Sequence, residues 1–239
     1  MDTQETLLQV RVDEKTNEIP VLQAVLPLLP VAGRVVMGDA LHTQVATAGC
    51  IVQLGGHYVL TVKKNQPALY EALALFFAQP TAPLATARTV DRVRGRREER
   101  VLRTSEEMTP YLGDRWSALA QVGQLTRTVT TKKTTTCEVV YLIASLALSA
   151  APPRRVLDLV RAYWSIENKR HYVRDVTFGE DRSRLRTGAA PQILACLRNL
   201  TITLLHRAGH TAIATARRHV AAHPADALAL LVVPPAPAG

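Results

Sequence analysis

Residues 34–76, RVVMGDALHTQVATAGCIVQLGGHYVLTVKKNQPALYEALALF, decide the fold of this chain. A short apolar run, Arg34-Val35-Val36-Met37, ends in the polar turn Gly38-Asp39, and a helix is expected from about Thr43 to Leu54, stopped by Gly55-Gly56. His57 to Val62 reads as the next strand. After Lys63-Lys64-Asn65-Gln66, Pro67 suits a first helical position, and Ala68, Leu69, Ala72, Leu73 and Phe76 follow at helical spacing. Strand and helix therefore alternate. Upstream, Leu7 to Val12 reads as one more strand, and Asn17-Glu18-Ile19-Pro20 opens a helix through Val21, Leu22, Val25, Leu26 and Leu29 that Gly33 closes. This order predicts an α/β layer with a largely parallel sheet.

The pattern changes after Gln79-Pro80. From about Thr86 to Leu148 the chain is Thr- and Arg-rich with strand-like segments at Arg100 to Arg103, Gln121 to Val129 and Thr136 to Ile143, which predicts an antiparallel β unit. Beyond Pro152-Pro153 it reads as helical from Val156 to about Arg174. A second helix is expected from Pro191, with Ile193, Leu197, Leu200 and Leu204 on one face. Thr211 to His219 reads as a short helix, and Pro234 to Gly239 as a disordered tail. The expected division is a first part of the core at 1–80, a β-rich stretch at 81–150, core helices at 151–222 and a partly disordered tail at 223–239.

With 239 residues and 47% hydrophobic content the chain can bury one substantial core. Its apolar runs, such as Val21 to Val31 and Val139 to Leu148, are too short or too interrupted to cross a bilayer, and no basic-then-apolar pattern opens the sequence. No membrane association and a cytoplasmic location are the expectations. Cys50, Cys137 and Cys196 stand far apart without CxxC spacing, which points to buried thiols and not to a disulfide framework or a zinc site. The excess of 29 Lys and Arg over 20 Asp and Glu gives a formal charge of +9 and favours a polyanionic partner. Nucleic acid leads, although many basic proteins bind none.

Two carboxylates stand out. Asp39 follows a buried-looking strand, at the carboxyl end where α/β sheets carry ligand and catalytic groups, though an Asp there also serves as a helix cap or turn residue. Glu167 falls seven residues after Val160 on the long helix, about 20° away around its axis, so its side chain is expected to face inward. A carboxylate so placed needs a metal, a hydrogen-bond partner or a counterion such as Arg161 or Arg174. Convergent carboxylates are what two-metal phosphoryl transfer uses, because hard oxygen ligands hold paired Mg²⁺ ions. Lys63, Lys64 and Asn65, at the carboxyl end of the neighbouring strand, are candidates to contact DNA phosphates. Arg94, Arg96 and Arg97 are candidates within an Arg-rich run that also reads as a solvated face paired with Glu98 and Glu99. His171, one turn beyond Glu167, and Arg174 complete the candidate set. Glu180 and Asp181 are expected to pair with Arg182, Arg184 and Arg186, and Thr177 with Glu180 to form a capping box.

Four strings together resemble one family. They are Gln9 to Pro20, Gly38-Asp39-Ala40-Leu41-His42-Thr43-Gln44, Gly55 to Pro67, and Tyr163-Trp164-Ser165-Ile166-Glu167-Asn168 through Asp175 to Arg184. The chain from about Gln9 to His219 is similar to the ISAs1 family of bacterial insertion-sequence transposases, within the IS4-like DDE group. The resemblance implies an α/β RNase H-like core, a mixed or parallel sheet with flanking helices, carrying a β-rich insertion before the last catalytic helix. It also implies an Asp, Asp, Glu triad holding two Mg²⁺ or Mn²⁺ ions, with Asp39 second and Glu167 third. The implied reaction is metal-dependent cleavage and strand transfer of double-stranded DNA at element ends and target, with a homodimer on the DNA. The first Asp of the family stands in an Asp-Gly-Lys string, which these residues lack, and neither Asp2 nor Asp13 matches it. The chain therefore reads as N-terminally truncated. Arg94 and Lys64 also depart from the family pattern, which has His and Gly there. The alternatives are a catalytically inactive DNA-binding remnant and a two-metal nuclease that does not transpose.

Overall fold

The computed structural model describes residues 7–10, 18–93, 95–166, 173–185 and 187–232. The chain divides into two compact units, Val12–Arg161, and Met1–Arg11 together with Ala162–Gly239.

The first unit is a six-stranded mixed sheet with flanking helices, in the order β1-β2-β6-β5-β4-β3. Helix α1 (Glu18–Val25) and a 3-10 turn (Leu26–Leu28) precede β1 (Val35–Gly38), α2 (Val45–Gln53), β2 (His57–Val62) and α3 (Pro67–Ala78). Then come β3 (Ala85–Val93), β4 (Arg96–Ser105), the single turn α4 (Thr109–Leu112), β5 (Gln121–Thr130), β6 (Thr135–Ala144) and α5 (Pro153–Ile166). The strand and helix alternation of residues 34–76 is as expected, with β2 at its expected bounds. A largely parallel sheet is not what forms. Among the described strands only β1 and β2 run parallel, with Val35 opposite His57 and Gly38 opposite Leu60. Strands β3 to β6 join their neighbours antiparallel, as expected of the β-rich stretch, with short turns linking β3 to β4 and β5 to β6 and the segment with α4 linking β4 to β5. Strand β6 then closes on β2, so the β-rich stretch continues the same sheet.

One face of this sheet buries Tyr58, Leu60 and Val62 of β2 with Tyr141 and Ile143 of β6, against Ile51 of α2, Leu69, Leu73 and Phe77 of α3, and Trp116. The Tyr58 hydroxyl donates to the Ser117 carbonyl at 3.0 Å, and burial pushes its pKa upward. The other face buries Val59, Ala144, Leu142, Val140, Leu125, Leu102 and Ala87. Their shared side follows from the cross-strand register.

Further out, that second face changes from apolar to ionic. Arg161 of α5 holds Asp91 of β3 at 3.0 Å, Asp91 accepts from Arg100 at 2.6 Å, and Arg100 reaches Glu98 at 2.6 Å. Glu98 also takes Arg127 of β5 and, at 3.1 Å, Arg96, while Arg127 lies 3.5 Å from Glu138 of β6. The chain of charges crosses four strands, so it pins their register. Burial works against the charge on Glu98, but the Arg127 hydrogen bond and the nearby Arg100, Arg127 and Arg96 outweigh it and hold its carboxyl below the usual range.

In the second unit, Leu7 to Val10 form no strand, contrary to the sequence reading; Leu7, Leu8 and Val10 are exposed, and Gln9 accepts a hydrogen bond from Asn199 at 2.7 Å. A period-two apolar run without a partner strand has no ladder to join. The remainder of the expected strand, Arg11 and Val12, lies outside the described residues. Helix α6 (Ala190–Arg207) buries Ala195, Asn199, Ile202 and Leu205, whereas Ile193, Leu197 and Leu200, read as its core face, are more than half exposed. Helices α7 (Ile213–Ala222) and α8 (Pro224–Val232) complete the unit around Leu205, Ile213 and Ala216. The expected disordered tail from Pro234 lies outside the described residues.

The Glu98 network makes an acid-sensitivity prediction. A carboxyl whose folded pKa is depressed binds its proton later than in the unfolded chain as pH falls. Its contribution is thus present above about pH 4.3 and is lost as pH drops through the lower folded value. Glu98→Gln is expected to lower unfolding free energy in urea by about 1–3 kcal/mol near neutral pH, with the gap to the parent shrinking toward acid. A gap independent of pH would contradict this assignment.

Candidate active site

Asp39 occupies the first position after β1, at the carboxyl end of the parallel pair. It is exposed, and its Oδ1 accepts from the His42 backbone N–H at 3.3 Å, a turn that the short Asp side chain makes readily. The turn reading of this residue is therefore observed: Asp39 shapes its own turn with one oxygen, and its carboxylate stands at the strand end. It makes no ion pair among the described residues.

The loop after β1 is tied to the loop after β2. Thr43, fully buried, directs its hydroxyl at the Thr61 carbonyl (2.5 Å) and the Asp39 carbonyl (3.1 Å). Gln66 donates to the Thr43 carbonyl at 3.0 Å and to Gln44 Oε1 at 3.2 Å, and Asn65 donates to the Ala40 carbonyl. Gly38 allows the close approach: a Cβ there would meet Leu60 Cδ2 at 3.0 Å. His42 lies beside this turn with its Nδ1 buried and unpartnered and its Nε2 3.7 Å from Glu18. Thr43, Gln66 and His42 were not singled out from sequence. Their only signal was their place in the two strings that follow the strands.

Of the other candidate residues, Lys63 and Lys64 are exposed at the same strand ends as Asp39. Asn65 is engaged with the Asp39 loop, which makes it a positioning residue. Glu167, His171 and Arg94 lie outside the described residues. The helix leading to Glu167 is as its spacing required, with Val156 and Val160 buried at 2% exposure on one face of α5. The two guanidiniums considered as partners for Glu167 are engaged elsewhere. Arg161 holds Asp91, and Arg174 grips Glu180 through both Nε (2.5 Å) and Nη2 (2.8 Å), which raises the Arg174 pKa further. Arg198 approaches the same Glu180 at 3.6 Å. No capping box forms at Thr177, since the short helix Glu180–Arg182 starts from Gly179 in the left-handed region, and Thr177 ends a π-helical turn, Val173–Thr177. Arg96 and Arg97 are paired with Glu98 and Glu99 at 3.1 and 2.7 Å, as the paired-face reading of that run expected.

A carboxylate with a free oxygen at the end of a parallel strand, beside two lysines, is a donor suited to a hard divalent cation and to phosphate nearby. The sequence model described as "Transposase DDE domain" matches residues 1–204. The chain belongs to the DDE transposase family. It is 29% identical over 209 residues to YbfL of Escherichia coli (strain K12), covering 82% of this chain and 54% of that protein. It is 28% identical over 207 residues to "H repeat-associated putative transposase YhhI" of the same strain, covering 82% and 54%, and 29% identical over 208 residues to "Putative transposase YncI" of Escherichia coli O157:H7, covering 82% and 52%. The chain spans about half the length of the curated relatives it matches. The mixed sheet with flanking helices is consistent with an RNase H-like transposase fold, and no described helix is long and apolar enough to cross a membrane.

If Thr43 fixes the Asp39 loop, Thr43→Val should lower stability by about 1–2 kcal/mol, since two carbonyls lose their donor, while Thr43→Ser restores most of it. Urea unfolding of the three proteins reads this directly, and equal stability of the Val variant would show the bond to be idle.

Proposed function

We propose that this chain is part of an ISAs1-type insertion-sequence transposase that cuts DNA strands at element ends and joins them to a target. Asp39 and Glu167 are its second and third metal carboxylates. The observation that carries the reading is Asp39, held at the carboxyl end of the parallel pair with an oxygen to spare, in a loop fixed by Thr43, Asn65 and Gln66. A Mg²⁺ or Mn²⁺ pair bound there would supply activation of the attacking hydroxyl and stabilisation of the leaving oxygen. Asp39 would hold its share of that pair without moving, because its loop is already braced. By the family resemblance Glu167 would supply a further carboxylate, and one in an Asp-Gly-Lys string, which these 239 residues lack, would complete the set. Lys63 and Lys64 would contact the phosphates flanking the reacting bond.

The sheet offers the DNA a second region. The side bearing Arg161, Asp91, Arg100 and Glu98 is neutralised by its own carboxylates. On the opposite side of the outer strands Arg88 and Arg97 share the single Glu99, at 2.6 and 2.7 Å, and Arg92 is exposed beside them. At the turn between β5 and β6, Lys132 and Lys133 are exposed. Arg92, Lys132 and Lys133 pair with no acid among the described residues. Arg92, Arg96, Arg97, Thr131 and Lys132 line one shallow groove there, a basic, threonine-rich surface suited to a phosphate backbone. A duplex seated on it is the reading we adopt. Two copies pairing two DNA ends would form the active species.

Two outcomes test these assignments. In a chain extended to include the third carboxylate, Asp39→Asn or Glu167→Gln should abolish Mg²⁺-dependent cleavage of element ends; normal cleavage by either variant removes that residue from the set. DNA binding that persists without any cleavage in the parent would favour an inactive remnant. For the basic surface, Arg92→Ala, Lys132→Ala and Lys133→Ala combined should flatten the dependence of log K on log salt by about 0.9 per lost phosphate contact, measured by fluorescence anisotropy on duplex DNA. An unchanged slope would place the DNA elsewhere.

A further inference from the structure

The end of α7 and the start of α8 bring together three metal-ligating side chains beyond the matched residues 1–204. His219 lies in the last turn of α7, His223 is its C-cap, and Asp226 sits in the first turn of α8. One ligand atom from each falls within 4.8 Å of the others. The two imidazoles stack with centroids 4.4 Å apart, as the spacing of four residues on a helix allows. We propose that His219, His223 and Asp226 form a binding site for a borderline transition-metal dication such as Zn²⁺, closed by water in the fourth position.

The tautomers suit this chemistry. His223 Nδ1 lies 2.9 Å from the His219 carbonyl, which only accepts, so Nδ1 carries the hydrogen and Nε2 is left with its lone pair. His219 Nε2 faces Asp226 Oδ2 at 2.8 Å and, opposite a carboxylate, is the protonated nitrogen. An entering dication binds the other tautomer, in which the Nε2 hydrogen has exchanged through solvent to Nδ1, and lies between the same two atoms. Tetrahedral bonds of about 2.0 Å separate neighbouring ligands by about 3.3 Å, so the His219 to Asp226 pair opens slightly and His223 closes inward. All three side chains are exposed and free to make these small rotations. The site also lies at the carbonyl end of α7, where the helix dipole favours positive charge. Two nitrogens and one carboxylate select Zn²⁺ and its neighbours over Mg²⁺, which prefers an all-oxygen octahedron. The ion would tie α7 to α8 and so brace the C-terminal helices.

The test is isothermal titration of Zn²⁺ into the full chain carrying Cys137→Ser and Cys196→Ser, which removes two thiols that are exposed and not buried as expected from sequence, with excess Mg²⁺ present to occupy hard oxygen sites. One ion per chain should bind, with a rise in thermal unfolding midpoint. Asp226→Asn should weaken binding, and His219→Gln with His223→Gln should abolish it while far-UV circular dichroism stays unchanged. No saturable heat in the parent, or an undiminished affinity in the double His variant, would overturn the proposal.

Discussion

Everything around the candidate active site depends on how β2 is held. It lies between β1, which runs parallel to it, and β6, which runs antiparallel, so both its backbone edges are used. Its side chains are buried on both sides of the sheet, with Tyr58, Leu60 and Val62 on one and Val59 on the other, each at 1% exposure or less. An element so enclosed cannot slide by one residue without exchanging its two faces. The end of β2 is therefore a fixed point, and the hydrogen bonds of Thr43 and Gln66 transfer that rigidity to the loop carrying Asp39.

The same sheet solves a different problem at its far side. The outer strands, β3 and β4 with the distal parts of β5 and β6, are rich in arginine, and an unscreened row of like charges would repel. Alternation along the strands separates the two demands. Residues of one parity meet Asp91, Glu98 and Glu138 and form a register-fixing ionic chain, while residues of the other parity keep an excess of positive charge facing outward. A charge count over the run from Arg92 to Arg103 averages these two populations and hides both.

Much of the fold was legible because it is local. The apolar run of β2, the Gly55-Gly56 stop and Pro67 at the start of α3 each specify structure within a few residues, and β2 and α3 begin where those signals stand. The antiparallel pairing of β3 to β6 was legible, but the closure of β6 on β2 was not, since that is a contact across some eighty residues that no periodicity encodes. The apolar stripe of α6 misled for a related reason. Ile193, Leu197 and Leu200 have the spacing of a core face, yet the helix buries the side with Ala195, Asn199, Ile202 and Leu205. Spacing shows that a helix has an apolar side, not that this chain covers it. Within the candidate site, Asp39 was legible from its position after a strand. The residues that brace it, Thr43 and Gln66, have no chemical signature and emerge only from geometry.

A divalent ion at the end of β1, as proposed for Asp39, would mark its neighbours. Paramagnetic broadening by substoichiometric Mn²⁺ reports this directly, without requiring activity or DNA. Selective loss of amide signals is expected around Gly38 to His42 and Lys63 to Gln66, reversed by excess Mg²⁺ and absent in Asp39→Asn. Broadening that spares these residues, or that persists there unchanged in the Asn variant, would contradict the proposal.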